Sequence, residues 1–392
     1  MEKRVLFVDS TLRDGEQTPG VNIFAQEKLE IAKMLEELGI DKIECGFPAT
    51  SPSDTEGVRL IAEHVTKTRV GVIARATKKD IDAAWDAVKD AKLPTITPFI
   101  SVSPIHRKYK LNKNREEVLD MAVEAVMHAK QYTDSVDFAF EDASRAEPDY
   151  LSEIIQAVVS AGAVGLIIPD TVGYSQPEEF GKLIADIRKN VKGIDDEKCY
   201  LSTHCHNDLG LAVASSLAGV KSGAMRVEGT VNGLGERAGN AALEEVIMSL
   251  VVRKDYYQRE VMIDTTKIYP LSRLVARHSG MFPQATKAIV GDNAFAHEAG
   301  IHQNGVLKER STYEMMDPKN LGIGIGKIVL GKHSGRNALS WKLKKLGIEF
   351  APDKLEKAYS EFKTLTLKKK KIDDQDLIEI ASKLGVESIS RK

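Results

Sequence analysis

Eight short apolar runs alternate with eight amphipathic helical stretches over roughly the first 250 residues, the rhythm of a closed barrel of β/α units. The strands are predicted at 5–9, 42–47, 69–74, 95–101, 135–141, 164–169, 199–204 and 226–231. The helices are predicted between them, at 25–38, 53–65, 78–92, 114–131, 147–161, 176–191, 208–222 and 240–253. A helix after every strand makes the strands parallel, because a parallel pair needs a long crossover. The pattern therefore predicts an α/β fold, a (β/α)8 TIM barrel. An open doubly wound sheet is the rival. No Gly-x-Gly-x-x-Gly follows the first strand, and eight regular units favour closure.

Beyond about residue 255 the rhythm breaks. One helical stretch, 266–279, is followed by a Gly-rich, irregular region to about residue 335. Helical segments are then expected near 336–346, 352–367 and 373–384. The expected organisation is a catalytic barrel over 1–255, a linker region over 256–335 and a small helical subdomain over 336–392.

Active sites of such barrels lie at the C-terminal ends of the strands. Here those ends are rich in chemistry. The first strand runs into Asp9-Ser10-Thr11-Leu12-Arg13-Asp14, the second ends near Glu44, and His106 and Arg107 follow the fourth. The fifth ends at Glu141-Asp142, the sixth at Asp170-Thr171, the seventh at His204-Cys205-His206. The eighth runs into Asn232-Gly233-Leu234-Gly235-Glu236-Arg237-Ala238-Gly239-Asn240. On an extended segment His204 and His206 point to one face and Cys205 to the other. Two ordinary histidines on a half-exposed strand would give the same triplet. Together with Asp14, however, they form a mixed imidazole and carboxylate set suited to a divalent Lewis acid such as Mn²⁺, Mg²⁺ or Zn²⁺. Such an ion would chelate a 2-keto acid, and Arg13 could stabilise the alkoxide formed when its ketone is attacked.

Composition removes several other classes. With 55 Lys+Arg against 57 Asp+Glu, the formal charge of −2 supplies no field for nucleic acid or an anionic membrane. The run Lys368-Lys369-Lys370-Lys371 reads as a solvated helix end. Cys45, Cys199 and Cys205 form no disulfide framework or Cys-x-x-Cys motif, which fits a reducing cytoplasm. No apolar run approaches the ~18 residues of a membrane span, and the first residues lack a signal-peptide apolar core. A cytoplasmic protein is expected.

Three long motifs then carry a family resemblance. Leu12-Arg13-Asp14-Gly15-Glu16-Gln17-Thr18-Pro19-Gly20, His204-Cys205-His206-Asn207-Asp208-Leu209-Gly210 and Gly233-Leu234-Gly235-Glu236-Arg237-Ala238-Gly239-Asn240 resemble signatures of the 2-isopropylmalate synthase family. That family belongs to the metal-dependent barrels that also include homocitrate and citramalate synthases and hydroxymethylglutaryl-CoA lyase. The resemblance extends into the linker through Ala299-Gly300-Ile301-His302-Gln303-Asn304-Gly305 and Leu330-Gly331-Lys332-His333-Ser334-Gly335. It implies an acyltransferase that condenses acetyl-CoA with 2-oxoisovalerate, in leucine biosynthesis. It makes Asp14, His204 and His206 metal ligands and places Asn240 on or beside the metal. Arg13 would bind the keto acid and its oxyanion, His106 and Thr171 would contact substrate, and Glu141 would lie near the reacting carbons. His302 and Tyr313 match linker residues that reach the partner's barrel, so a domain-exchanged homodimer is implied. Roughly 80 residues of Gly-rich chain are also long for a plain connection. His302, with Glu141 or Tyr313, is the expected base machinery, because imidazoles titrate near neutrality. One divalent metal and a monovalent activator such as K⁺ are the expected cofactors.

The same chemistry with pyruvate (citramalate synthase) or 2-oxoglutarate (homocitrate synthase) is the alternative, and carbon–carbon lysis a more distant one. Leu-Arg-Asp-Gly, in place of Leu-Arg-Glu-Gly, resembles the isopropylmalate and citramalate branch. Two departures bear on substrate placement. Ala139 stands where a hydroxyl residue is frequent, and Asn304 where aspartate is common. Leucine-pathway enzymes carry a C-terminal regulatory domain. With Lys392 as the last residue, the expectation is a shortened chain or one without leucine feedback.

Overall fold

The computed structural model describes residues 3–195, 198–324 and 326–386. They form two compact units, residues 3–283 and 284–386 as described. In the first unit eight parallel strands close into a barrel in sequence order. They are β1 (Leu6–Asp9), β2 (Lys42–Glu44), β3 (Arg69–Arg75), β4 (Pro94–Ser101), β5 (Asp137–Glu141), β6 (Gly165–Asp170), β7 (Tyr200–Cys205) and β8 (Arg226–Gly229). β8 closes on β1 with Phe7 opposite Val227 and Val8 opposite Glu228. The outer helices are α1 (Ala25–Leu38), α2 (Pro52–His64), α3 (Lys78–Val88), α4 (Arg115–Ala129), α5 (Pro148–Ser160), α6 (Pro177–Asn190), α7 (Ala212–Lys221) and α8 (Leu243–Val252).

Side chains alternate across each strand, so the register sorts them into two sets. Phe7, Ile43, Val70, Phe138, Phe140, Leu166, Leu201 and Val227 are fully buried and alternate with the residues that face the barrel axis. They form the apolar seam beneath the helices. The opposite set includes Lys42, Glu44, Asp137, Glu141, Ser202, His204, Arg226 and Glu228, of which Lys42, Asp137, Arg226, Glu228, Ser202 and His204 meet one another through ion pairs and polar contacts. Caps fix several helix starts at the barrel mouth. Ser51 Oγ accepts from Asp54 N–H at 3.1 Å, and Asn114 forms a reciprocal capping box with Glu117. A ninth helix, α9 (Ile268–Ser279), packs on α1 within this unit.

The second unit holds α10 (Gly300–Lys308), α11 (Arg336–Lys345), α12 (Pro352–Thr366) and α13 (Asp374–Lys383). The last three enclose a small core of Leu339, Leu343, Ile348, Phe362, Leu377 and Ile380. The sequence pattern predicts an irregular segment over 300–308. Two glycines and Asn304 lower its helix propensity, and its buried Gln303 and Val306 form no apolar stripe. Gln303 anchors it instead, donating to His297 O at 2.9 Å and Val329 O at 2.8 Å. Helix α7 starts at Ala212 rather than 208, because Gly210 takes a left-handed φ of 74° in the preceding turn. Among the described residues no helix is long and apolar enough to cross a membrane.

Candidate active site

The C-terminal ends of the strands surround a cavity of about 320 Å³, lined by Arg13, Asp14, Glu44, Glu141, Thr171, His204, His206 and Glu228. His204 lies one residue before the end of β7, facing the barrel axis, and His206 follows the strand in an isolated bridge to Asn240. Their Nε2 atoms are 3.3 Å apart, and they lie 3.3 and 3.7 Å from Asp14 Oδ2. Three donor atoms so spaced share a point about 2 Å from each, a metal–ligand bond length for small divalent ions.

The three groups shift one another's titration strongly. Burial alone would raise the Asp14 carboxyl, but Arg13 and both histidines hold it well below the usual range. Burial opposes a charge on His204, yet Asp14 and Glu228 together push its imidazole up to about 9. Burial and the neighbouring His204 push His206 down to about 4. Asp14 Oδ1 and Asn240 Oδ1 are buried acceptors with no hydrogen-bond partner among the described residues. Buried acceptors rarely go unpaired, so the donor set fits a divalent ion.

The two loops that flank this set explain their sequences. Asn240 donates from Nδ2 to Leu234 O at 3.1 Å. A Cβ at Gly235 would fall 2.1 Å from that Nδ2, and one at Gly239 would fall 1.9 Å from Gly233 O. The glycines of 233–239 thus let the backbone close on Asn240. Arg13 is gripped from two sides, its Nε and Nη2 2.6 and 2.5 Å from Glu44 Oε2 and its Nη1 2.8 Å from Asp14 Oδ2. N–H groups on both terminal nitrogens remain for a ligand. The guanidinium is not a surface charge, since Glu44 is 1% exposed.

Glu141 accepts from Ser101 Oγ and from Lys110 Nζ, the latter at 2.6 and 2.7 Å. Lys110 lies on a π-helical turn, Arg107–Leu111, and reaches back over the cavity. His106 stands behind Glu141, with Nδ1 3.9 Å from it, and is not among the lining residues. Thr171 lines the cavity while its Oγ1 accepts from Asp142 N–H at 2.9 Å. Phe47, Ile73, Phe99, Ala139 and Ile167 make an apolar wall.

The structure therefore brings Arg13, Asp14, Glu141, Thr171, His204 and His206 to one cavity, with Asn240 beside them. His302 and Tyr313 belong to the second unit, where their rings stack at 4.2 Å and are exposed. Gly305 makes that stack possible, because a Cβ there would fall 2.6 Å from the Tyr313 ring. Sequence reasoning missed Lys110, Phe47, Phe99 and Glu228. Glu228 had a signal, since an acid within a strand at a barrel's closing seam must face inward or be paired. Lys110 had none, because a π turn has no sequence period of its own.

The chain also matches known proteins. The HMGL-like family profile matches residues 4–275, and a profile described as homocitrate synthase post-HMGL domain-like matches 289–370. The chain is 54% identical to the 2-isopropylmalate synthase of Carboxydothermus hydrogenoformans over 375 residues, covering 96% of this chain and 73% of that protein. It is 51% identical to the 2-isopropylmalate synthase of Pyrococcus furiosus, covering 96% and 75%. Among solved structures it resembles the HMG-CoA lyase of Brucella melitensis, with a TM-score of 0.61 at 18% identity, covering 71% of this chain and 99% of the lyase. The hydroxymethylglutaryl-CoA lyase of Pseudomonas aeruginosa gives 0.60 at 20%, covering 71% and 93%. At those identities the lyases share the fold.

Proposed function

Because this chain belongs to the HMGL-like family, and within it to the 2-isopropylmalate synthases, we propose that it condenses acetyl-CoA with 2-oxoisovalerate to give 2-isopropylmalate and CoA. The observation that carries the reading is one cavity that combines the Asp14, His204 and His206 donor set with Arg13 and an apolar wall. A divalent ion held by Asp14, His204 and His206, with Asn240 in support, would supply Lewis-acid polarisation of the ketone. Mn²⁺, Mg²⁺ and Zn²⁺ all suit these donors, and K⁺ is the proposed monovalent activator.

The protein groups do the rest. Arg13 donates to the oxygen that gains charge as the ketone is attacked. His302, with Glu141 or Tyr313, removes a methyl proton from acetyl-CoA, and the resulting carbanion forms the new bond to the ketone carbon. The ketone oxygen takes up a proton, and water then cleaves the thioester, leaving a carboxylate and CoA. Thr171 positions the substrate, and His106 acts on it from behind Glu141. The keto acid's isopropyl group faces Phe47, Phe99, Ala139 and Ile167. This wall favours a branched alkyl group over the second carboxylate of 2-oxoglutarate, which would need a cation. Arg13, Lys110 and Arg237, the cations that line the cavity, are already paired, with Glu44, Glu141 and Asp208. Removing the metal tests this function. Exhaustive chelation should stop CoA release, and Mn²⁺ or Mg²⁺ should restore it; full activity after chelation would contradict the reading.

The active form in this proposal is a domain-exchanged homodimer in the cytoplasm. Support comes from the exposed stack of His302, on a helix that Gln303 anchors, against Tyr313 beyond the helix end. Mixing His302→Ala subunits with His204→Ala subunits should restore part of the activity, since one arm of each mixed dimer keeps an intact barrel and an intact second unit. Free subunit exchange without recovery would place the action of His302 within its own chain.

A further inference from the structure

Branched aliphatic side chains ordinarily fill the interior of such barrels, and here that interior is charged. Lys42 Nζ lies 2.7 Å from Asp137 Oδ2, and Arg226 Nη1 lies 2.8 Å from the same oxygen. Arg226 Nη2 is 3.5 Å from Glu228 Oε1, and all four side chains are at most 3% exposed. Gly165 makes room for them, because a Cβ there would fall 2.1 Å from Asp137 Oδ1 and 2.8 Å from Arg226 Nη2. This ladder of alternating charge rises through the barrel and ends on Glu228, which lines the cavity.

The two oxygens of Glu228 face different partners. Oε1 takes Ser202 Oγ at 3.4 Å together with Arg226. Oε2 faces His204 Nδ1 at 3.4 Å. That nitrogen is buried and has no hydrogen-bond partner among the described residues, and Glu228 Oε2 is the carboxylate oxygen it faces. The far edge of the same ring presents Nε2 to Asp14 and His206. A neutral imidazole carries one N–H and one lone pair, so the nitrogen that keeps the proton decides which one can bind an ion.

We propose that Glu228 is a positioning residue that accepts the Nδ1–H of His204 and so fixes the lone pair of Nε2 toward the metal position. Arg226, itself tied to Asp137 and through it to Lys42, sits at Oε1 of the carboxylate and leaves Oε2 facing the ring. A carboxylate behind a ligating imidazole sets both its tautomer and its orientation. The inference rests on Asp14, His204 and His206 being metal ligands, and the test separates the two ideas.

The Mn²⁺ dissociation constant of the full chain is measured by competition with a chromophoric chelator. Wild type is compared with Glu228→Leu, Glu228→Asp, Glu228→Gln and His204→Ala. Glu228→Leu should bind roughly 10–100-fold more weakly. Glu228→Asp keeps a charge for Arg226 but withdraws the oxygen by one methylene, and should weaken binding too. Glu228→Gln keeps an oxygen that can accept Nδ1–H, and should lose less than Glu228→Leu. A merely structural role predicts no such ranking. Wild-type affinity in Glu228→Leu and Glu228→Asp would overturn the proposal, and Glu228→Asp alone decides if the leucine variant does not fold. Failure of the ligand reading looks different. His204→Ala would then bind as wild type does, or wild type would bind no ion, and the role of Glu228 would fall with it.

Discussion

Replacing His204 or His206 by alanine should lower the rate of CoA release by roughly three orders of magnitude or more, because Lewis-acid stabilisation is worth several kcal/mol and each ~1.4 kcal/mol is a factor of ten. The fold should survive. Both rings line an existing cavity, so truncation widens solvent space and opens no void in the packed seam beneath the helices. Arg13 also continues to neutralise Asp14 at 2.8 Å in either variant. Circular dichroism and thermal unfolding should match wild type, while the bound metal found by elemental analysis should drop. A His204→Ala enzyme with wild-type turnover would remove the metal from the mechanism.

Arg13→Lys should cost roughly 10²–10³-fold in kcat/KM, the scale of losing one preorganised oxyanion donor. The guanidinium spans Glu44 on one side and Asp14 on the other while keeping N–H groups for substrate. An ammonium is a point charge with no planar fork. It can stay with Glu44 and Asp14 or turn to the ketone oxygen. The loss should fall on kcat, because the developing charge exists only in the transition state. Near-normal turnover in the lysine variant would reduce Arg13 to a counter-charge for Glu44.

The barrel was legible because its alternation is a period-two pattern on strands and a 3.6-residue pattern on helices, repeated eight times. Strand β7, predicted at 199–204, forms at Tyr200–Cys205, and the predicted and observed bounds of α1 coincide at 25–38. The convergence of Asp14 with His204 and His206 was legible too, since a closed barrel brings its strand ends to one mouth. The charged interior was harder to see. In the sequence, Lys42 and Arg226 open their predicted strands and Asp137 lies within 135–141, with no sign of the face each takes. Only the register, Val8 opposite Lys42 and Ser202 opposite Arg226, turns them toward the axis. Helix α10 escaped because a buried glutamine, not an apolar stripe, holds it. Lys110 escaped because its reach onto Glu141 comes from a local π turn.

The shape and charge of the cavity decide the identity of the keto acid. It is tested most directly by following CoA release from acetyl-CoA with 2-oxoisovalerate, pyruvate and 2-oxoglutarate in turn, in the presence of Mn²⁺. The apolar wall of Phe47, Phe99, Ala139 and Ile167 predicts the largest kcat/KM for 2-oxoisovalerate. Pyruvate should be slower, since each buried methylene it lacks is worth about 0.8 kcal/mol. No turnover is expected with 2-oxoglutarate, whose second carboxylate finds no unpaired cation among the described residues that line the cavity. A kcat/KM for pyruvate or 2-oxoglutarate above that for 2-oxoisovalerate would contradict the account.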